Sequence, residues 1–281
     1  MKLSKKYITK TDILICNNII SFIKNKPHIY KHFNFSFHRQ KYNISSIIPI
    51  ILVVLRRSLP WFFASSMFNI PKSTVYDCFV KLSKFNVFEK TYILLLNRYV
   101  KLAPYKIFKI RTTDTSTIIN KYGKNIATRT PFCKKKMIKL SLITFENGIP
   151  YNVKLTTGKD NDAKILNEQL DTQNLIEIRD IKTDVYFLAD KGYDSSILRC
   201  KLKKVKMIPI IPSNKRNTKD LNKIKKLTIE DKKVYEKRII VENIFCKLKN
   251  QYKRLDKLYE STLRSYKNLL YIALIGIIKT K

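Results

Sequence analysis

Residues 185–194 read VYFLADKGYD, a run of five apolar residues that ends in an aspartate and a polar turn. An uninterrupted apolar run of this length, bounded by turn residues, predicts a strand that is buried on both faces. A helical pattern precedes it from Asp162 to about Ile178, and a second one follows it from Asp194 to Lys204. Helices that alternate with buried strands are typical of an α/β sheet.

The neighbouring segments extend this pattern in both directions. Residues 105–117, YKIFKIRTTDTST, alternate like a strand, and residues 137–158 predict a hairpin that turns at Glu146-Asn147-Gly148. A further buried strand is predicted in KMIPIIPS, residues 206–213, and a lysine-rich connector then leads to a long helix that begins near Tyr235. The order predicts a mixed five-stranded sheet flanked by helices, which is the order of the RNase H-like arrangement.

The segment before this sheet is helical in pattern. Residues 43–103 contain a helix, a turn at residues 69–71 and a second helix, with Pro71 at its start, Ser73 as a capping residue and an apolar face of Val75, Phe79 and Leu82. This pattern favours a helix-turn-helix whose second helix enters a DNA groove, so Lys72, Ser73 and Thr74 are candidate DNA contacts. A small helical bundle with no DNA contact explains the same stripe.

Three domains are therefore expected. Residues 1–42 form a basic lead, irregular or loosely helical; residues 43–103 form the helical domain; residues 104–281 form the α/β domain.

The formal net charge of +36 favours a polyanionic partner, because basic side chains neutralise phosphates and release counterions. Nucleic acid is the first expectation and an anionic membrane surface the second. The abundance of Ile, Asn and Tyr is typical of an AT-rich gene, which raises the lysine content by itself and weakens this inference.

Several classes of site are excluded by composition. The five cysteines are scattered singly, which disfavours a disulfide scaffold or a zinc ribbon, and all three histidines precede residue 40. The α/β segment therefore has no HExxH or Ser-His-Asp site, and no glycine-rich nucleotide loop is present. The longest apolar runs are about ten residues, too short for the roughly 20 of a membrane-spanning helix, and we expect neither a membrane segment nor a signal peptide.

Carboxylates remain as the catalytic groups. Asp114 and Asp190 each follow a predicted strand, where a rigid sheet can hold a polar side chain over a crevice. An aspartate at a strand end is also a common turn former or helix cap.

The final predicted helix carries a third carboxylate. Tyr235, Arg238, Glu242 and Lys249 lie at offsets 0, 3, 7 and 14, which a continuous helix places within one stripe of roughly 60°. A separate apolar stripe is predicted to anchor the helix to the sheet, and it contains Ile240, Val241, Ile244, Phe245, Leu248 and Tyr252. The alternative is a solvated face on which Arg238 and Glu242 form an ordinary i,i+4 pair.

These four residues match the signature Y-x2-R-x3-E-x6-K, and the chain thereby resembles the bacterial insertion-sequence DDE transposases that carry it. DTSTI resembles the first-aspartate segment of that family, and LADKGYDSSILR resembles its second-aspartate block, A-D-K-x-Y-D. The tryptophan-containing helix, the short turn and the STVY that follows, together with IIPSNKRN, also resemble family segments. The resemblance spans roughly residues 43–275.

The resemblance implies a metal-dependent transposase that cuts transposon ends and joins them to target DNA. It assigns Asp114, Asp190 and Glu242 as catalytic residues and ligands of two Mg²⁺ or Mn²⁺ ions, which hard oxygen ligands suit. Arg238 and Lys249 are expected to hold phosphates, Tyr235 to donate a hydrogen bond or stack on a base, and Lys191 to contact DNA. Double-stranded DNA is the expected partner, and a homodimer on DNA is the expected assembly. The expected location is the cytoplasm in association with the nucleoid, or the nucleus if the host is eukaryotic.

Other interpretations stay open at this stage. A domesticated DNA-binding protein that no longer catalyses, or a nuclease that cuts without joining, would share most of these residues, whereas a membrane-surface protein would leave the carboxylates unexplained. Two further aspartates, Asp162 and Asp194, are expected to cap helices. The connector of residues 214–233 is too short for the large β insertion of some transposases, so protection of the DNA end would come from elsewhere, such as a second protomer.

Overall fold

The structure is a computed structural model of the 281-residue chain. The residues that it describes are 7–33, 42–122, 127–130, 133–171, 184–214 and 227–279. Most of the predicted connector and the part of the predicted helix that reaches Ile178 lie outside the described residues.

Helices and strands follow one another largely as the sequence predicts. The helices are α1 (Lys10–Lys24), α2 (Pro27–Tyr30), α3 (Ile44–Arg57), α4 (Trp61–Ser66), α5 (Lys72–Lys84), α6 (Val87–Leu102), α7 (Asp162–Asp171), α8 (Ser196–Lys204), α9 (Ile229–Tyr235), α10 (Ile239–Gln251) and α11 (Leu263–Lys279). The strands are β1 (Ile110–Asn120), β2 (Thr128–Thr130), β3 (Cys133–Phe145), β4 (Pro150–Thr157), β5 (Val185–Leu188), β6 (Met207–Ile210) and β7 (Lys257–Leu258).

The chain divides into two compact units. The first contains Met1–Leu96, Lys121–Lys124 and Leu248–Lys281, and the second contains Asn97–Asn120 and Asn125–Lys247. The division into three domains stays a prediction, because compactness does not show which segments carry separate functions.

The second unit is built on a mixed sheet of six strands, β1–β6. β3 pairs antiparallel with β1, β2 and β4, whereas β5 pairs parallel with β1 and with β6. An antiparallel meander followed by parallel strands that are reached through helices is the RNase H-like arrangement, which confirms the predicted fold class with one strand more than expected.

The predicted burial of the central strand is confirmed. Phe187, Leu188 and Ala189 are fully buried, as expected for a parallel strand covered on both faces. The neighbouring helices turn apolar residues toward the core of this unit, and these residues are Ile165, Leu166 and Leu170 of α7 and Leu198 and Leu202 of α8.

The hairpin between β3 and β4 turns where the sequence predicts. Gly148 has a φ of +81°, a conformation that costs a residue with a Cβ atom, and its N–H donates to the Phe145 carbonyl over 2.8 Å. A Cβ atom at this position would lie 3.0 Å from the Cδ1 atom of Ile244. The glycine therefore permits both the turn and the close approach of α10.

The first unit corrects the prediction for the N-terminal lead. Residues 10–24 form the regular helix α1. A capping box between Thr9 and Asp12 caps its N-terminus. Ile15, Ile19 and Ile23 recur every four residues and are buried. The basic and aromatic residues further along the lead dominate its composition and obscure this period.

A helix, a turn and a second helix are confirmed in the first unit as α4 and α5. Val75, Phe79 and Leu82 are fully buried, so the stripe is the core face of α5. The predicted cap is wrong: Pro71 occupies the N-cap position, no side chain caps the helix, and Ser73 lies inside the first turn. Lys72 and Ser73 are exposed and Thr74 is half-buried.

Asn161 and Ser195, and not the two predicted aspartates, occupy the N-cap positions of α7 and α8. Asn161 caps α7 by accepting from the Ala163 N–H over 2.8 Å, and Asp162 instead accepts from the Lys139 ammonium over 2.8 Å. Asp194 accepts from the guanidinium of Arg199 and from the backbone N–H of Asn214. Both carboxylates therefore pair with cationic side chains, Asp162 with Lys139 of β3 and Asp194 with Arg199 of α8.

Two further predictions concern sulfur and membranes. The four cysteines whose side chains the structure describes are free thiols. Within the described ranges, no helix is long and apolar enough to cross a bilayer.

Candidate active site

The register of β1 and β5 aligns the two predicted aspartates. Their parallel pairing ends at Thr112 opposite Leu188, and Asp114 and Asp190 each lie two residues beyond this last pair. Because side chains alternate along extended backbone, the equal offset favours the same side of the sheet for both carboxylates.

The position of Asp114 differs from the prediction. It lies within β1, opposite Leu142 of β3, and not in a loop after the strand. β1 stays paired with β3 after its pairing with β5 has ended. Asp114 is therefore paired with β3 and lies beyond the last residue of β1 that pairs with β5. The polar residues TDTST conceal this continuation, since β strands in a core are usually more apolar.

Local backbone bonds fix both aspartates. One oxygen of Asp114 accepts from the Thr115 N–H over 2.8 Å, and one oxygen of Asp190 accepts from the Lys191 N–H over 2.7 Å. Asp190 is the N-cap of a short 3₁₀ turn, Lys191–Tyr193. The turn-forming interpretation therefore holds for one of its carboxylate oxygens.

Tyr193 links the two strand ends, a role that sequence reasoning missed. Its ring is buried, and its hydroxyl lies 2.7 Å from the Thr115 hydroxyl, beside Asp114. Burial raises the pKa of Tyr193, so the phenol stays neutral and able to donate. The tyrosine of the A-D-K-x-Y-D block was the available signal for this position.

The predicted long helix is broken at the site. α9 ends at Tyr235, residues 236–238 form a 3₁₀ turn, and α10 begins at Ile239. Glu242 and Lys249 both lie on α10, whereas Tyr235 and Arg238 precede it, so the stripe predicted for an uninterrupted α-helix stays a prediction across the 3₁₀ turn. The apolar anchor is confirmed for α10, where Val241, Ile244 and Phe245 are buried.

Arg238 joins two of the predicted carboxylates. Its Nη1 atom lies 3.2 Å from Oδ2 of Asp114, and its Nη2 atom donates to the carboxylate of Glu242. The i,i+4 pair therefore forms, but its guanidinium also reaches a residue of β1. The Arg238 side chain is 20% exposed, so this contact is better shielded from water than a surface ion pair.

The electrostatics of this cluster involve all three carboxylates. Burial acts to lower the pKa of Arg238, but attraction to Asp114, Glu242 and Asp190 raises it on balance. Burial raises the pKa of Asp114, and the nearby Glu242 carboxylate adds to this effect, while the Thr115 N–H and Arg238 oppose it. Asp114 and Glu242 thus share Arg238 as their ion-pair partner in this arrangement.

The carboxylates of the site are chemically suited to a divalent metal ion. In this arrangement, however, they are not grouped closely enough to bind one. Aspartate and glutamate oxygens are the ligands that Mg²⁺ and Mn²⁺ prefer. Among the residues that the structure describes, no three histidine, cysteine, aspartate or glutamate side chains are grouped closely enough to hold one ion. The Arg238 guanidinium lies between Asp114 and Glu242 instead.

The other predicted contacts lie in different surroundings. Tyr235 packs on the apolar cluster of Ile110, Leu188 and Ile210, with the Arg238 guanidinium 6.0 Å from its ring centroid. Lys191 is exposed. Lys249 belongs to the first unit, as do Lys72, Ser73 and Thr74.

A known protein family covers this region. The family described as transposase DDE domain matches residues 109–277, more than half of the 281 residues. The chain belongs to this family. The match contains all three carboxylates and every strand of the sheet, so the transposase domain includes the candidate site. The bacterial insertion-sequence origin and the four-residue signature stay predictions.

Other comparisons add less. No curated protein matches the chain. Among solved structures, the Mos1 mariner paired-end complex with Mn aligns at a TM-score of 0.28 with 12% identity, covering 87% of this chain and 87% of that one. The Mos1 strand transfer complex aligns at 0.26 with 13% identity, covering 84% of this chain and 88% of that one. Likenesses this small carry no conclusion about this chain.

Proposed function

We propose that this chain is a DNA transposase that cuts the ends of its element and joins them to target DNA through Asp114, Asp190 and Glu242. The observation that carries the proposal is the contact of Asp114 and Glu242 with one guanidinium, that of Arg238, inside a segment that belongs to the transposase DDE domain family. A carboxylate from β1 and one from α10 share this cation, and Asp190 lies at the same offset as Asp114 from the last pair of β1 and β5. This arrangement supports a site built for positive charge more than it supports three unrelated turn formers.

The three carboxylates are the proposed ligands of two Mg²⁺ or Mn²⁺ ions. When bound, such ions activate the attacking oxygen and neutralise charge on the leaving oxygen of an in-line displacement. The sheet and α10 hold the ligand side chains, and Tyr193 orients the turn that carries Asp190 against β1.

The proposed reaction has two steps. In the first, a water oxygen bonds to a phosphorus at the element end, the bond from phosphorus to the 3′ oxygen breaks, and that oxygen takes a proton. In the second, the freed 3′-hydroxyl attacks a phosphorus of the target DNA and loses its proton, and the target 3′ oxygen leaves. Arg238 and Lys249 are proposed to bind phosphates, Arg238 by a bidentate fork and Lys249 as a point charge.

Double-stranded DNA is the proposed partner, in agreement with the net charge of +36. We further propose that Lys191 contacts this DNA, that Lys72, Ser73 and Thr74 of α5 contact it from the first unit, and that two copies of the chain assemble on it. Such a protein acts where the DNA lies, in the nucleoid or the nucleus.

The first experiment is a cleavage and joining assay on labelled duplexes that carry the ends of the element. We expect nicking and strand transfer with Mg²⁺ or Mn²⁺ and neither with a chelator, because the carboxylates alone cannot activate water. Nicking without joining would indicate a nuclease. Binding without nicking, with either metal, would contradict the proposal and favour a DNA-binding protein that has lost catalysis.

Tyr193→Phe tests the link between the strand ends. We expect the cleavage rate at saturating DNA to fall about tenfold, a loss typical of residues that orient metal ligands, and the metal concentration for half-maximal cleavage to rise. Tyr186→Phe removes the same atom from a ring that packs on the apolar cluster of this unit. If both variants need no more metal than the native chain, Tyr193 has only a packing role.

A further inference from the structure

The Arg238 guanidinium occupies the position beside the carboxylates that a proposed metal ion would take. Its guanidinium contacts Asp114 and Glu242, and Asp190 lies within its electrostatic range. Asp114 is largely buried, with 26% of its side chain exposed. A divalent ion that approaches Asp114 therefore meets a cation already bound to it.

We propose that Arg238 is a resident counter-cation of the carboxylate site, which must leave Asp114 before a metal ion binds there and which leaves when it binds a DNA phosphate. This inference rests on the proposed function and deepens it. Metal binding and DNA binding are then coupled through one side chain, and the site acquires its metal only when DNA is in place.

The charges explain why the site needs such a residue. Glu242 raises the pKa of Asp114, which shows that the two carboxylates repel each other, while Arg238 lowers it. Arg238 compensates the repulsion in the absence of metal, but it also competes with the metal, since two cations cannot share the same carboxylate oxygens closely.

The local backbone lets Arg238 serve both partners. It is the last residue of the 3₁₀ turn between α9 and α10, a break in helical geometry that is common at hinges. The Tyr235 ring lies beside the guanidinium and offers it a second resting place through a cation–π contact. The planar fork of arginine binds a carboxylate pair and a phosphate with the same geometry, so DNA can replace the carboxylates without loss of hydrogen bonds.

Binding of Mn²⁺ alone to the full chain, followed by electron paramagnetic resonance, tests the inference. We expect Arg238→Met to bind Mn²⁺ about tenfold more tightly than the native chain, within the range usual for coupled sites. Lys237→Met is the matched control, because it removes one charge from the same 3₁₀ turn at a residue that pairs with Glu146 and not with the site. Its affinity should equal that of the native chain, and Arg238→Gln should repeat the Met result if Arg238→Met does not fold.

A short duplex gives the second arm. By reciprocity, DNA should raise the Mn²⁺ affinity of the native chain and of Lys237→Met, but not that of the Arg238 variants. Equal Mn²⁺ affinity in Arg238→Met, Arg238→Gln and Lys237→Met would overturn the inference.

Asp114→Asn separates this failure from that of the proposed function. If Asp114→Asn weakens Mn²⁺ binding while the Arg238 variants change nothing, the metal site is real and only the coupling is wrong. If the native chain and Asp114→Asn bind Mn²⁺ equally with the duplex present, both the metal site and the coupling are contradicted.

Discussion

Glu242→Gln is expected to abolish cleavage and strand transfer while DNA binding persists. The amide keeps the size of the side chain and its place beside Arg238 but lacks the negative charge that holds a divalent ion. Ligated metal supplies several kcal/mol of transition-state stabilisation, so we expect a rate loss of about a thousandfold or more. The measurement is single-turnover cleavage of a labelled element end with Mg²⁺.

Glu236→Gln is the control for this change. Glu236 lies on the 3₁₀ turn just before α10, is exposed, and loses the same charge. Its cleavage rate should stay near that of the native chain. Persistent activity in Glu242→Gln, or an equal loss in both variants, would mean that Glu242 is not a metal ligand and that the assignment of three catalytic carboxylates is wrong.

The strands and the helix that carry the candidate site could be predicted from the sequence. Buried strands are recognisable from residues such as Phe187 and Leu188, and the parallel register then brings Asp114 and Asp190 to equal offsets from the last pair. Sequence spacing also brings Arg238 and Glu242 together, since an i,i+4 pair closes on a helix. Local periodicity therefore predicts the strands and the helix that carry these residues, whereas the register that aligns Asp114 with Asp190 comes from the structure.

Two features of the site could not be predicted from the sequence, because they depend on contacts between residues that are far apart in the chain. The contact between Arg238 and Asp114 spans 124 residues, and no local pattern predicts that the guanidinium takes the position between two proposed metal ligands. The 3₁₀ break before Ile239 is equally hidden, because residues 229–251 keep a helical composition throughout. Tertiary packing sets both features, and it overrides helix propensity here.

The caps at Asp162 and Asp194 failed for a related reason. Short polar side chains near a helix start are favoured as caps when no stronger partner is available. Lys139 and Arg199 supply such partners from the same unit, and their hydrogen bonds to the carboxylates carry a full positive charge that a backbone N–H lacks. A capping prediction from sequence therefore fails where a buried or half-buried cation reaches the carboxylate first.

Arg254→Met is expected to destabilise the first unit more than any surface substitution. Arg254 and Glu260 are both buried, and the guanidinium Nε and Nη2 atoms lie 3.0 and 2.9 Å from one oxygen of Glu260. The guanidinium also lies 4.7 Å from the Tyr259 ring centroid. Removal of the cation leaves a buried carboxylate without its ion pair, which costs about 3–5 kcal/mol in the free energy of unfolding.

Lys253→Met separates this effect from the loss of one positive charge. Lys253 is exposed and lies on the same 3₁₀ turn, and surface changes of this kind stay within about 0.5 kcal/mol. Denaturation by urea, followed by circular dichroism, should therefore show a lower midpoint for Arg254→Met and an unchanged midpoint for Lys253→Met. Equal midpoints in the two variants would mean that Glu260 finds water or another donor once Arg254 is gone, and that the first unit does not depend on this ion pair.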